Sequence, residues 1–139
     1  MATPQTAALL NALETARGEL AALPTPARGS EVDRLARLAA VQRIMDRMVL
    51  DPEICAAVWR VHQGEPDEVP AKRLETLASE VAKLGGQDAE RDLVLLAELG
   101  EVDAQGKRGL REQTTRIRRE RLARLGRLQR EAEKFQRSA

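Results

Sequence analysis

Cys55, Trp59 and His62 are the first residues to weigh as chemistry. They follow one another at spacings of four and three, so on a helix they share a face. A Cys–His pair can form a nucleophile or part of a metal site. Here about 10 Å of helix axis separates the two, too far for a hydrogen bond between them. The chain has no second Cys and no second His to complete a metal site. Cys55 and Trp59 are therefore expected in the core, with His62 ending the helix, because free Cys usually behaves as a small buried hydrophobe.

The other chemical options are thin. Helical carboxylate metal sites pair Glu with Glu-x-x-His, and the residue three before His62 is Trp59. Gly85-Gly86 and the pair Gly106 and Gly109 have no preceding strand and no phosphate-loop spacing. With one His and no Tyr, the stock of acid–base groups is poor. The expectation is a chain with no catalytic residues, no metal, no cofactor and no enzymatic activity.

Charge and apolar patterning are more informative. Residues 1–106 hold 11 basic and 18 acidic residues, a net of −7, while residues 107–139 hold 12 basic and 4 acidic, a net of +8. An acidic body thus precedes a basic segment. In that segment Arg108, Arg116, Arg119, Arg127, Arg130, Lys134 and Arg137 fall on roughly one side of a helix. Such a face can track phosphates, which makes a nucleic-acid-associated protein one alternative. Single-strand binders also need stacking rings, and this segment offers only Phe135. A basic amphipathic helix can also lie on an anionic membrane, but this apolar face is narrow, interrupted by Arg121, and lacks Trp.

Opposite the arginines runs a stripe through Leu110, Thr114, Ile117, Leu125, Leu128, Ala132 and Phe135. It either buries itself in a bundle or grips a partner's amphipathic helix. The candidate partner-binding residues are Leu110, Ile117, Leu125, Leu128 and Phe135. Arg116, Arg119, Arg127 and Arg130 beside them would select an acidic helical segment. Pairing of the stripe with its own copy, as a homodimer or larger structural oligomer, is a further alternative.

The elements that must carry these residues are helices. Ala and Leu dominate, Trp59 and Phe135 are the only rings, and β-branched residues are scarce. The fold class is all-α: one domain over residues 1–139, a bundle of four to six helices with coiled-coil-like packing and a long C-terminal helix. The first helix is expected over 5–23, with Leu9, Leu13, Ala16 and Leu20 on one face and Pro24-Thr25-Pro26 ending it. Ser30 caps the second, and Asp51-Pro52 starts a short third or merely kinks the second. His62 to Pro70 is a loop. A fourth helix carries Leu74, Leu77, Val81 and Leu84 and stops at Gly85-Gly86.

Beyond Asp88 the apolar stripe keeps its phase across Gly106 and Gly109 at about 100° per residue. A turn has no reason to preserve that phase. The spacing favours one long helix from about residue 88 to 136, roughly 70 Å at 1.5 Å per residue. The competing arrangement is a turn at 106–109 with two antiparallel helices.

Composition sets the surroundings. One Cys excludes an internal disulfide and suits a reducing compartment. The first twenty residues lack the basic and apolar blocks of a signal peptide, and the longest apolar run, Ile54 to Trp59, is far too short for a membrane span. The expected location is the cytoplasm.

The stretch from Leu95 to Phe135 also resembles the last long helix of bacterial flagellar and type III export chaperones of the FliT and FlgN kind. The similar pattern is Val102-Asp103, then spaced Leu and Arg, then an aromatic near the end, Phe135. It covers about a third of the chain. The resemblance implies a small helical protein that holds a helical segment of an unassembled subunit. Together with the stripe, it gives the expected function: a non-enzymatic helical adaptor or chaperone.

Overall fold

The computed structural model describes residues 4–106 and 108–138. These form five helices and no strand: α1 (Pro4–Ala22), α2 (Glu31–Val49), α3 (Pro52–His62), α4 (Ala71–Gln105) and α5 (Arg108–Ser138). The all-α bundle with a long C-terminal helix is therefore what the chain folds into.

The boundaries follow local chemistry. α1 buries Leu9, Leu13, Ala16 and Leu20, the four-three-four spacing of one helical face, and ends just before the two prolines. Ser30 caps α2 in extended conformation, its Oγ accepting from the Asp33 N–H at 3.2 Å. Asp33 in turn accepts from the Ala27 N–H at 3.0 Å, fastening the linker to the helix. Ser30→Ala should cost about 1 kcal/mol, read as a shift in urea midpoint with an unchanged slope; no shift would mean that solvent satisfies the Asp33 N–H equally well. Asp51 caps α3 from the Glu53 N–H at 2.9 Å with Pro52 in the first turn, so α2 and α3 are separate helices.

α2 and α4 each pack on all of the other four helices, and in α2 Val41, Ile44, Met45, Met48 and Val49 are all buried. The apolar core joins these to the buried face of α1, to Ile54, Cys55 and Ala57 of α3, and to Leu74, Leu77, Val81, Ala89, Leu96 and Leu99 of α4. α3 lies along α4 so closely that Gly100 is required: a Cβ there would overlap the Cys55 carbonyl oxygen and sit 2.7 Å from Trp59 Cβ.

Two glycines depart from the expected layout. At Gly86 (φ 74°, ψ −159°) the chain leaves helical geometry and resumes it at once. The expected stop is thus a kink with no loop, and the two segments count as one α4. At Gly106 (φ 64°, ψ 11°) the backbone turns left-handed and caps α4. The single long helix favoured over 88–136 is therefore a hairpin, and the competing arrangement is the observed one. Its sense is set by three ion pairs between α4 and α5: Asp88–Arg124, Asp92–Arg121 and Asp103–Arg118. As the α4 number rises the α5 number falls, so the two helices are antiparallel. Phase continuity had argued otherwise because it registers only which face is apolar, not where the chain turns.

Candidate partner-binding site

α5 presents two chemically different faces. The inner face rests on α2 and α4. Its centre is Arg121, the residue that interrupts the apolar stripe. The Arg121 guanidinium spans two carboxylates from different helices. Its Nε donates to Asp46 Oδ1 at 2.7 Å. Its Nη1 and Nη2 donate to Asp92 Oδ1 and Oδ2 at 2.7 and 2.8 Å, a bidentate fork. The three side chains are only 11%, 5% and 11% exposed, for Arg121, Asp46 and Asp92. Burial opposes the charge on Arg121, but the hydrogen bonds and charges of Asp92 and Asp46 outweigh it and hold its pKa above the usual value. Gln42 completes the cluster, its Nε2 donating to the Arg121 carbonyl at 2.7 Å. Gln42 Oε1 is buried and finds no hydrogen-bond partner among the described residues.

One turn away, Arg118 reaches Asp103 at 3.3 Å and donates to the Val49 carbonyl at 3.5 Å. Its other contact is Cys55 Sγ at 3.9 Å. Cys55 is buried and its thiol donates to the Val49 carbonyl at 3.5 Å. Burial pushes the thiol pKa up, with Arg118 pulling the other way, so Cys55 is a poor nucleophile at neutral pH. Trp59 is half-buried and stacks on the exposed His62 ring at 5.6 Å between centroids. Cys55 and His62 thus look into different environments. No group of three or more potential metal ligands is found among the described residues. No helix among them is long and apolar enough to cross a membrane.

The candidate residues fall into three groups. Ile117 is partly buried and packs against the apolar core. Leu125 and Leu128 are half-buried on the inner side of α5. Arg116, Arg119, Arg127 and Arg130 are exposed on the outer side, and among the described residues none makes an ion pair. The side chains of Leu110 and Phe135 lie outside the described residues. The structure therefore brings the four arginines together on one open face and engages the described part of the stripe with the bundle. Leu122, 55% exposed, is a large apolar side chain left open on α5.

Sequence reasoning missed the Arg121–Asp46–Asp92 cluster. The available signal was Arg121 itself, a charge at the centre of an otherwise apolar face. Such a residue is either an interruption or the partner of a buried acid, and periodicity alone treats both alike.

Comparison with protein-family models, with characterised proteins and with solved structures finds no match to this chain.

Proposed function

We propose that this chain is a non-enzymatic helical adaptor or chaperone that binds an acidic helical segment of a partner protein through α5. The observation that carries the reading is the outer face of that helix. Arg116, Arg119, Arg127 and Arg130 are exposed and free of intramolecular ion pairs among the described residues. The acidic body thus neutralises Arg118, Arg121 and Arg124 and leaves four others unengaged. Arg forks suit the carboxylates of a partner helix laid alongside. Leu122 and the open edges of Leu125 and Leu128 add apolar area next to them. A narrower form of the proposal, resting on the resemblance of 95–135, is a flagellar or secretion export chaperone.

The same face favours one second reading, a nucleic-acid-associated protein. Fluorescence titration separates the two. An acidic amphipathic helical peptide and mixed-sequence single- and double-stranded DNA and RNA are tested at low and physiological salt. The adaptor reading expects saturable peptide binding that falls at least tenfold in Arg127→Glu/Arg130→Glu, with the variant's helicity unchanged. Tighter, steeply salt-dependent binding of nucleic acid and none of peptide would replace it by the second reading.

A further inference from the structure

We propose that α5 exchanges between two copies of this chain, so that the partner's Arg121 completes the Asp46–Asp92 cluster of each copy. Two independent observations meet at Gly106. First, the connection is minimal: α4 ends at Gln105, α5 begins at Arg108, and Gly106 holds a left-handed conformation with φ 64°. Right-handed values at Gly106 would remove the left-handed break that ends α4. Short hinges of this kind are where neighbouring elements swap between copies.

Second, the two inner faces are in phase. Ala89, Asp92, Leu96, Leu99 and Asp103 of α4, all beyond the Gly86 kink, lie within about 40° of the direction of Arg121 when the helix is continued at about 100° per residue. So do Thr114, Ile117, Leu125 and Leu128 of α5. A hairpin imposes no such relation, since the turn can reset the phase freely. A straight antiparallel pair of long helices does impose it, because each rod must show one unbroken face to the other. Exchange turns Asp92–Arg121, Asp88–Arg124 and Asp103–Arg118 into contacts between copies, each occurring twice; the first two centre on residues 106–107 and the third on residues 110–111.

The exchange sacrifices no contact of α5. Among the described residues its packing is on α2 and α4 of the body, and a second copy offers the same surface. Helical hydrogen bonds across the former turn are gained, and the cost is the association entropy of two chains, so the exchanged dimer grows with concentration.

The full chain is measured by light scattering over a wide concentration range, with Gly106→Ala beside it. Left-handed geometry disfavours an Ala at 106 and continuous helix favours it, at both hinges of a dimer. Gly106→Ala should therefore raise dimer association at least about tenfold. Spin labels at Gln87→Cys and Arg127→Cys in a Cys55→Ala background, diluted into unlabelled protein, report the path of the chain. In the hairpin they sit across neighbouring helices about 10 Å apart at the axes; in the exchanged dimer they lie about 60 Å apart along one rod. A dimer with the long distance supports the exchange. A dimer that keeps only the short one has formed side by side and overturns it. Should Gly106→Ala fold poorly, Arg121→Asp and Asp92→Arg are mixed. Exchange predicts a two-chain species, holding one native cluster, that neither variant forms alone. Monomers only, in the wild type, in Gly106→Ala and in the mixture, also overturn the proposal.

Discussion

Arg121→Ala should destabilise the protein by about 3–5 kcal/mol at neutral pH, the range for removing one member of a buried ion pair. The loss is not the worth of the contact. It arises because Asp46 and Asp92, both largely buried, are left facing each other without a cation. Burying two carboxylates with no cation between them carries an uncompensated desolvation cost. Urea unfolding at pH 7 measures the loss. A cost below about 1 kcal/mol at pH 7 would mean that water reaches the cluster and screens it.

The triple change Arg121→Leu/Asp46→Leu/Asp92→Leu is the informative contrast. Replacing a complete buried ion cluster by apolar residues is often neutral or stabilising, since desolvation of the charges is avoided. The net contribution of the cluster to stability is then small, and its use is to fix register. The α5 stripe of spaced Leu, Ile and Ala could sit on the α2–α4 surface in more than one position. Only one position lets a single guanidinium reach Asp46 and Asp92 together. The pair Arg118–Asp103 adds a second polar fastening between α5 and α4. This polar fastening contrasts with the rest of the bundle. Gln42, Asp46, Asp92 and Thr114 account for all but Thr6 of the buried polar residues described, and the first three meet at Arg121. The buried contacts among α1, α2, α3 and α4 rest instead mainly on Leu, Ile, Met, Val and Ala, with ion pairs such as Arg17–Glu80 and Arg73–Glu14 at their exposed edges.

That division also explains which features could be read from the sequence. Ser30 and Asp51-Pro52 were legible because a cap is a local event: a short acceptor, the helix start, and an N–H two or three residues on. The α1 face was legible because Leu9, Leu13, Ala16 and Leu20 bury on one side and nothing interrupts them. Gly106 was misjudged because its turn is stabilised by partners fifteen or more residues apart, such as Arg118 with Asp103 and Arg121 with Asp92. At the candidate site the free arginines could be placed by helical spacing alone. What could not be foreseen was which arginines the acidic body would consume, since Arg118, Arg121 and Arg124 differ from Arg116, Arg119 and Arg127 only in direction. Ile117→Asp would mix partner loss with unfolding, because Ile117 packs against the core.

Gly100→Ala is the second large effect, and its sign is the test. In an ordinary helix interior, Gly to Ala stabilises by about 1 kcal/mol through propensity. Gly18→Ala should do this, because nothing lies within 4 Å of a Cβ built there. At Gly100 the same methyl would run into the Cys55 carbonyl and the Cβ of Trp59. Neither can swing aside: one is main chain and the other is the root of a side chain. Relief requires α3 and α4 to move apart, which opens the most extensive helix–helix contact in the bundle. Overpacking of this kind typically costs about 1–3 kcal/mol and more where backbone must shift, so a net loss near the upper end is expected despite the propensity gain. A second readout follows from what the contact covers. Cys55 is fully buried beneath it, with a thiol whose pKa burial raises. Separation of α3 from α4 should speed its reaction with a thiol reagent under native conditions, whereas Gly18→Ala should slow it or leave it unchanged. If Gly100→Ala instead matched Gly18→Ala in both stability and Cys55 reactivity, α3 and α4 would not approach backbone to backbone, and the anchoring of α3 on the bundle would have to come from its apolar side chains, Ile54, Cys55, Ala57, Val58 and Val61.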